Sequence, residues 1–390
     1  MKVPLKYMMK NFRNRKTSTI ITVAGITLVI FVFSAVLMLA NGVKKTLVST
    51  GSPDNVVVTR KGANGEISSI ISGDVQNVVA ALPYIAKDSY GLSIISDQPV
   101  VVINLSSPNG ALNNVTVRGV NAQTIFELHP KVKIVRGHMF NPSLRQVIVG
   151  EAVAKIYPQT RIGGSIKLAG NYWTVVGIFD AHGNGFDSEI WADYRQVQQA
   201  FHRGNYVSSI TLELDNPSDF RKFKEAFSMD KRLSEYVPTK EPEYFAEQSQ
   251  SLTTFIKVLG IFVTVIFSIG AAIGAMITMY AEVANRTVEI GTMRALGFAR
   301  RSVLTVFLLE AILVALIGGV IGIVLASFLQ FISITTLNYT SFSDLTFSFA
   351  MNPSTIQASI IFAIIMGFVG GFLPSARAAR LNIVSALRGE

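Results

Sequence analysis

The chain has 390 residues, 49% of them hydrophobic, and a formal net charge of +10. A nucleic-acid partner would require basic residues gathered on one face of a folded domain. Here they flank long uncharged segments, which argues against nucleic acid and for contact with anionic membrane lipid. The chain has no cysteine, so disulfides are excluded and any domain outside the membrane must be stabilised by its own hydrophobic core.

Four uncharged apolar segments are each long enough to cross a bilayer, which takes about 20 residues. They run from Thr17 to Val43, Val258 to Ala281, Ala311 to Ser343 and Leu345 to Ala376, and the last two include some flanking loop. We predict an α-helical membrane protein with four transmembrane helices in a one-plus-three layout, at residues 17–43, 253–281, 303–332 and 355–376. The first segment is longer than the apolar core of a signal peptide, so we expect it to remain as a span.

Basic residues are concentrated next to these segments. Residues 1–16, the loop 282–302 and the tail 377–390 together hold thirteen basic and three acidic residues, whereas residues 44–252 hold 21 basic and 20 acidic residues. Short loops rich in Lys and Arg are retained in the cytoplasm. We therefore expect both termini and the loop 282–302 to be cytoplasmic. Residues 44–252 and the short loop 333–354 then lie on the outer side of the membrane.

Residues 44–252 alternate between short strand-like runs and helical ones, which indicates a large mixed α+β domain. Strands are predicted at Asn55–Thr59, Val100–Leu105, Asn114–Gly119, Val147–Gly150, Ser165–Leu168, Trp173–Ile178 and Val207–Leu214. Helices are predicted at Ile67–Leu82, Glu151–Tyr157, Asp193–Phe201 and Pro217–Ser228. We expect two subdomains, with the break near residues 135–141.

The segment from Glu241 into the second span has few helix breakers after Pro242, and its polar residues give way gradually to apolar ones. We predict one continuous helix there, which would project from the bilayer as a stalk. The domain would then be attached through the ends of the first two spans.

No catalytic or nucleotide-binding motif is present in the sequence. It contains no Gly-x-x-x-x-Gly-Lys-Ser/Thr loop, so any ATP and Mg²⁺ used by the system would be bound by another polypeptide, and this chain is predicted to be non-catalytic with no cofactor of its own. The histidines, which are His129, His138, His182 and His202, lack metal-ligand spacing and are interpreted as surface or turn residues.

Two polar features of the predicted domain also have ordinary structural interpretations. Asp187, Glu189 and Asp193 are interpreted as a polar cluster at a strand edge rather than as an acid/base pair. The glycine-containing run from His182 to Trp191 predicts a turn between two strands, with contact to a partner as the alternative.

Three pairs of glycines at Gly-x-x-x-Gly spacing lie within the spans, where small residues allow helices to approach closely. They are Gly270 and Gly274, Gly318 and Gly322, and Gly367 and Gly371. Packing within one chain is favoured, and a dimer interface is the alternative. Glu310, a carboxylate in or near a span, is interpreted as paired with an arginine such as Arg377 rather than as a proton relay.

The loop from Glu282 to Arg301 mixes apolar and charged residues in a pattern typical of a short amphipathic helix, closed by Gly297. Such a helix suits docking into a groove of a soluble partner, with Met293 and Leu296 as anchors. Composition alone is equally compatible with a helix on the membrane surface.

This loop resembles the signature Asn-Arg-x-x-Glu-Ile-Gly-x-x-Arg-Ala-x-Gly of MacB/FtsX-type ABC transporter permeases. The matching residues are Asn285, Arg286, Glu289, Ile290, Gly291, Arg294, Ala295 and Gly297. The basic entry Arg13–Lys16, the stretch Leu308–Ala311 with Gly318–Gly319, the tail Pro374–Arg380 and the one-plus-three layout are also similar to that family. Residues 136–216 resemble the part of its periplasmic domain that is called the sabre.

The resemblance implies a permease of the bacterial inner membrane, with residues 44–252 and 333–354 in the periplasm. It would pair with a second protomer, identical or not, and with two copies of a cytoplasmic ABC ATPase. The signature residues, together with Met293 and Leu296, would form the coupling site for the ATPase, and motion would pass through the stalks to the outer domains, to which a periplasmic adaptor could bind. No ATPase is fused within this sequence, unlike the best-known member of the family.

The function implied is export or extraction of an amphiphilic substrate such as a peptide, drug, lipid or lipoprotein. A regulator of a cell-wall hydrolase, as in FtsX-like proteins, and a membrane-anchored sensor or scaffold are the alternatives.

Overall fold

The computed structural model describes residues 16–338 and 341–383. Most of the predicted basic N-terminal segment and the end of the predicted tail lie outside the described residues. The described chain forms a helical unit, made of residues 16–41, 254–332 and 349–383, and an α+β unit, made of residues 42–253 and 333–348.

The described residues contain ten α-helices and thirteen strands. In chain order the helices are α1 (Lys16–Val48), α2 (Gly73–Ala80), α3 (Ile125–Leu128), α4 (Glu151–Ile156), α5 (Tyr194–Ala200), α6 (Phe220–Met229), α7 (Glu241–Asn285), α8 (Thr287–Ala295), α9 (Arg300–Ser327) and α10 (Pro353–Arg380). The strands are β1 (Asn55–Arg60), β2 (Ile95–Gln98), β3 (Val100–Ser106), β4 (Leu112–Val120), β5 (Lys133–Gly137), β6 (Gln146–Gly150), β7 (Ser165–Leu168), β8 (Asn171–Asp180), β9 (Glu189–Asp193), β10 (Ser209–Glu213), β11 (Tyr236–Lys240), β12 (Ser333–Asn338) and β13 (Ser343–Ser348).

Four of the described helices are long and apolar enough to cross a membrane: α1, α7, α9 with its 3-10 extension to Phe331, and α10. The predicted continuous helix after β11 is present, because α7 runs for 45 residues without interruption. At 1.5 Å rise per residue it is about 68 Å long, roughly twice the thickness of a bilayer's hydrocarbon core.

Glycines allow close approach between α1, α9 and α10 in the helical unit. A Cβ added at Gly322 of α9 would lie 2.8 Å from the Thr27 carbonyl oxygen of α1, and one at Gly318 would lie 3.0 Å from that of Val23. The Gly367 and Gly371 positions of α10 likewise face α9. Intrachain packing therefore accounts for four of the six predicted glycines.

The remaining pair, Gly270 and Gly274 of α7, behaves differently. A Cβ added at either position would meet no atom within 4 Å in the part of the chain that the structure describes. This face of α7 packs against nothing within the described chain.

The α+β unit contains two main sheets. The larger has seven strands in the order β3-β4-β9-β6-β8-β5, with β7 paired to β8, and the smaller has the order β11-β1-β10-β2. The break predicted near residues 135–141 does not separate these sheets, since β3 and β4 precede it but belong to the larger one, and β10 and β11 follow it but belong to the smaller one. The pairing of β1 with β10, between residues far apart in the chain, decides this organisation.

Two local predictions also differ from the structure. The helix predicted over Ile67–Leu82 is a 3-10 turn at Glu66–Ser68 followed by α2, because the backbone of Ile71 pairs with Val207 and interrupts any helix there. The loop predicted at residues 333–354 contains the antiparallel hairpin β12–β13. Within the α+β unit this hairpin is fastened by hydrogen bonds from Thr116 to Ser343 (2.7 Å) and from the Thr346 amide to Ser188 (2.9 Å).

Each sheet has its own hydrophobic core. The larger sheet buries Trp173, Tyr157 and Val197, which brings α4 and α5 against its strands. The smaller sheet packs against Val75 and Val79 of α2 and Phe223 and Phe227 of α6. The two subdomains are therefore defined by separate cores rather than by one break in the chain.

Candidate functional site

The predicted helix of the loop 282–302 is present as α8. Arg286 leaves the helical conformation between the end of α7 and the start of α8, with φ −110° and ψ 16°. Gly297 follows the end of α8 with φ +90°, a backbone conformation that glycine adopts most easily, so its predicted role in closing the helix is confirmed.

Arg286 is the buried anchor of this loop. Its guanidinium donates to Glu310 of α9 through Nη1 (2.9 Å) and Nη2 (3.2 Å), and Nη2 also lies 3.0 Å from Glu282. The side chains of Arg286 and Glu310 are only 6% and 5% exposed. The predicted structural pairing of Glu310 is therefore present, but Arg377 as its partner is wrong, because the Arg377 guanidinium lies 5.5 Å from the ring centre of Tyr280 instead.

Some of the predicted coupling residues face the interior of the helical unit. Arg286, Ile290 and Gly291 are buried. Ile290 belongs to an apolar cluster that also contains Phe307 of α9, and Met293 packs partly against that cluster. These residues hold α8 against α7 and α9.

The other predicted coupling residues face outward or lie at the edge of α8. Exposed ones are Asn285, Glu289, Ala295, Leu296 and Gly297. Arg294 is half-buried, and its Nε has no hydrogen-bond partner among the described residues. Leu296 is 71% exposed, and Val288, which the family signature does not include, is 54% exposed. The outer side of this loop therefore presents two large apolar side chains, those of Val288 and Leu296, to the solvent.

A second cluster lies at the opposite end of α7 and was not predicted. Glu241, the first residue of α7, is buried and accepts hydrogen bonds from the Ser52 amide and from Asn55 Nδ2, each at 2.9 Å. A Cβ added at Gly51 would lie 2.6 Å from the Pro242 nitrogen, so the backbones touch here. These contacts of Glu241 and Pro242 with residues 51–55, which we call the clasp, hold the start of α7 against the turn that follows α1.

His129 lies beside the clasp, which makes its interpretation as a surface residue wrong. It is 4% exposed, and its Nε2 lies 3.7 Å from Glu241 Oε1. Burial, with the charge of Arg118, lowers the pKa of His129 to about 3, so the imidazole is neutral. By contrast, His182 and His202 occupy turns with positive φ, as predicted, and His138 is exposed.

Arg118 of β4 is the centre of a buried charge network in the α+β unit. It forms bidentate ion pairs with Glu66 (2.6 and 2.8 Å) and with Glu189 (2.8 and 2.7 Å), and it donates to Gln98 of β2 at 2.8 Å. Burial opposes ionisation of Glu66, but the Arg118 charge together with hydrogen bonds from Arg118 and Ser209 outweighs it and holds the pKa of that carboxyl below its ordinary value. The network joins strands of both sheets.

The acidic residues predicted as one cluster at a strand edge have separate buried roles. Glu189 pairs with Arg118, Asp187 accepts from the amides of Ala181 and Gly183 (2.7 Å each), and Asp193 caps α5 by accepting from the Gln196 amide. Asp187 lies in the 3-10 turn between β8 and β9, so the turn predicted for this run is confirmed. Among the described residues no group of three His, Cys, Asp or Glu is placed to hold a metal.

Two family models match the chain. The MacB-like periplasmic core domain matches residues 19–228, and the FtsX-like permease C-terminal domain matches residues 261–383. The first match runs from α1 into α6 and so covers most of the α+β unit, and the second covers the α8 loop with most of α7 and all of α9 and α10.

The sequence identity between this chain and individual relatives is low. "Macrolide export ATP-binding/permease protein MacB" of Hahella chejuensis is 26% identical over 404 aligned residues, covering 97% of this chain and 58% of that protein. The protein of the same name from Photorhabdus laumondii is 29% identical over 245 residues, covering 60% of this chain and 37% of that protein. The chain thus spans less than two thirds of the length of these relatives.

Among solved structures, the periplasmic region of MacB from Actinobacillus actinomycetemcomitans aligns with a TM-score of 0.38 and 15% identity, covering 52% of this chain and 92% of that one. The two family models, by contrast, together extend over most of the sequence. The chain belongs to the MacB/FtsX-type ABC transporter permease family.

Proposed function

We propose that this permease subunit transmits motion from separate cytoplasmic ATPase subunits, through its helices, to the α+β unit, and so drives export or extraction of an amphiphilic substrate. The observation that carries the proposal is the construction of α8. Its inner side is fastened by Arg286 and Ile290, while its outer side carries the exposed side chains of Val288 and Leu296.

The distribution of apolar side chains on α8 favours a protein partner over the membrane surface. A helix that lies in the lipid interface keeps a broad apolar face for the acyl chains. Here Ile290 and Met293 already pack inward, so Val288 and Leu296 are the large apolar side chains left exposed. Two exposed anchors on a short helix suit a groove in a soluble partner. An ABC ATPase is the kind of partner with which permeases of this family work, which supports it as the protein that docks here.

The long helix α7 supplies a path for the motion. Arg286 links the end of α7 to α9 through Glu310, so a displacement of α8 acts on both helices. At the other end, Glu241 is clasped to Ser52 and Asn55. Because α7 has no break between these two points, force applied at α8 would reach the α+β unit without crossing a flexible loop.

The helical unit offers few polar groups for a hydrophilic substrate. Some of its hydroxyl groups pair with each other, as in Ser34 with Ser359 (2.8 Å) and Thr22 with Thr278 (2.7 Å), and others, such as those of Thr264 and Ser375, donate to backbone carbonyl oxygens of their own helices. Glycine contacts between α1, α9 and α10 leave little space between those helices. We therefore place the substrate on the outer side of the inner membrane, and the macrolide export named for the relatives supports an amphiphilic cargo.

The test is pulldown of the intact chain from its native membranes after extraction in detergent, with quantification of any ABC ATPase that co-purifies. The double variant Val288→Glu/Leu296→Glu is expected to lose at least ten-fold of the bound ATPase, because it places two charges in the apolar contact. Leu112→Glu/Val135→Glu is the matched control, since these side chains of the α+β unit are 69% and 50% exposed. Equal retention of ATPase by both variants would overturn the coupling assignment.

A second measurement tests the orientation on which the proposal depends. The natural chain has no cysteine, so a single cysteine placed by Leu296→Cys or Leu112→Cys can be labelled with a membrane-impermeant maleimide in intact cells. Labelling is expected at position 112 without permeabilisation and at position 296 only after it. Labelling of position 296 from outside would contradict the proposal.

A further inference from the structure

An open groove between α2 and α5 contains about 1340 Å³ of space, including the part open to solvent. α2 packs on the core of the smaller sheet and α5 on that of the larger sheet, so the groove lies between the two subdomains of the α+β unit. Ligand sites are common at such junctions. None of the eleven residues that line the groove has an aliphatic side chain, and five of them are Gln76, Asn77, Gln198, Gln199 and Asn205.

Two of these carboxamides are held in place by the backbone. Gln76 Nε2 donates to the Asn205 carbonyl oxygen at 2.7 Å, and Gln198 Nε2 donates to that of Tyr206 at 3.2 Å. Since a carboxamide oxygen accepts hydrogen bonds independently of its nitrogen, both side chains keep an acceptor for a ligand. The side chains of Asn77 and Gln199 are exposed and make no hydrogen bond within the described chain.

Asp97 of β2 contributes a carboxylate to the groove that is not fully satisfied. Its Oδ1 is buried and has no hydrogen-bond partner among the described residues. A buried acceptor without a donor is unfavourable, and native structures rarely leave one without a reason. Burial also raises the pKa of Asp97 to about 6. Asp97 thus adds a carboxylate to the wall of the groove, although its buried Oδ1 is itself closed to a ligand.

The groove is lined by one arginine and one acidic residue, Arg195 and Asp97, so its charge does not select an anion. The Arg195 Nε donates to the Tyr194 hydroxyl at 2.9 Å, with the guanidinium 5.3 Å from the ring centre. The carboxylate of Asp97 would repel a phosphate or sulfate. An apolar ligand or a peptide helix is disfavoured for another reason, because it needs apolar pockets for its anchoring side chains.

We infer that this groove is a binding site for a neutral oligosaccharide. Hydroxyl and acetamido groups both donate and accept hydrogen bonds, and they match the mixed donors and acceptors of the five carboxamides and the Asp97 carboxylate that line the groove. The inference goes beyond the proposed permease function and does not depend on it, since binding is measured on this chain without an ATPase.

The experiment is isothermal titration of the full-length chain with chitotetraose and, separately, maltotetraose. The chain is held in nanodiscs or in a detergent without a sugar head group, because a glycoside detergent would compete for the groove. Inorganic phosphate and tetra-alanine serve as the anionic and peptide probes. Binding of at least one oligosaccharide, and of neither other probe, is expected.

Two variants locate the site. Asp97→Asn is expected to weaken oligosaccharide binding about ten-fold, because hydrogen bonds to a charged acceptor are roughly twice as strong as those to a neutral one. Asn77→Ala/Gln199→Ala alters only exposed side chains and is expected to weaken binding to a similar extent. The matched control is Asn64→Ala/Gln123→Ala, which changes the same residue types at exposed positions outside the groove.

Thermal unfolding of each variant shows whether it is folded. If Asp97→Asn does not fold, Asn77→Ala/Gln199→Ala still tests the site, because it changes only exposed side chains. Failure of both oligosaccharides to bind the natural chain at millimolar concentration would overturn the inference. Binding of phosphate or tetra-alanine instead, or equal weakening by the control variant, would also overturn it. None of these outcomes bears on the ATPase co-purification that tests the permease function.

Discussion

Arg286 and Glu310 form a bidentate ion pair inside the helical unit, with N–O distances of 2.9 and 3.2 Å, although 24 residues separate them in the chain. The Arg286 guanidinium also lies 5.7 Å from the ring centre of Phe307. This pair connects the only non-helical residue between α7 and α8 to the next span. It makes α8 part of the helical unit rather than an independent surface helix.

Breaking this ion pair should destabilise the protein strongly. Glu310→Met leaves the buried Arg286 charge unpaired and is expected to lower the free energy of unfolding by about 3–5 kcal/mol. Arg286→Met/Glu310→Met should recover most of that loss, because two apolar side chains replace both charges. Thermal unfolding of the full chain in detergent measures the difference. The control Arg60→Met breaks the exposed pair with Glu235 and should cost less than about 1 kcal/mol. A double variant no more stable than the single one would contradict this account.

The charge network around Arg118 should be equally important for the α+β unit. Arg118→Met leaves Glu66 and Glu189 as two buried carboxylates without their counter-ion, for an expected loss of about 3–5 kcal/mol. Arg118→Lys should also destabilise, since an ammonium group cannot make two bidentate pairs. Tryptophan fluorescence can follow unfolding, because Trp191 donates to Glu189 at 2.9 Å. If the Arg118→Met variant were as stable as the natural chain, the network would not hold the two sheets together.

The glycines of the spans should fall into two classes. Gly322→Val places methyl groups against the α1 backbone. It is expected to lower the free energy of unfolding by about 1–3 kcal/mol, because the contact between the helices is then overpacked. Gly274→Val meets no atom of the described chain and should leave thermal stability nearly unchanged. If α7 forms a dimer interface, Gly274→Val should instead lower the dimer fraction in crosslinking or native mass spectrometry. Similar destabilisation by both variants in the monomer would contradict the packing described for these helices.

Asp97 should make stability depend on pH. Its pKa is raised from 3.8 to about 6 in the folded protein, so folding favours the protonated form. The stability it contributes is therefore fully present below pH 3.8 and is lost as the pH rises through about 6. At 1.36 kcal/mol per unit, the loss relative to Asp97→Asn is of the order of 2–3 kcal/mol between pH 4 and 7. The measurement is the difference in unfolding free energy between the natural chain and Asp97→Asn at each pH. A difference that does not change over this range would contradict the burial described for Asp97.

Local sequence patterns predicted much of the fold and the approximate place of the site. The uncharged segments identified the four candidate spans, and the run after Pro242 predicted the continuous helix α7. Within the loop 282–302, the amphipathic pattern predicted α8 and its closing Gly297. Each of these depends on the properties of neighbouring residues, which the sequence contains directly.

The direction in which individual residues face could not be predicted in the same way. The family signature groups Arg286 and Ile290 with Glu289, but the first two are buried and the last is exposed. The exposed Val288 is not part of the signature. Which side of a short helix is covered depends on the position of α9, which the pattern of α8 does not contain.

Composition, charge and hydrophobic periodicity by themselves determined that this is a membrane protein of four candidate spans with a large α+β domain, because those signals act over one or two helical turns or a single strand. The tertiary structure alone decided that Glu310 pairs with Arg286, that His129 is buried beside Glu241 and that β10 and β11 return to the sheet of β1. These are contacts between residues far apart in the chain. Their free energy comes from burying charge and apolar surface together, which no local stretch of sequence can specify.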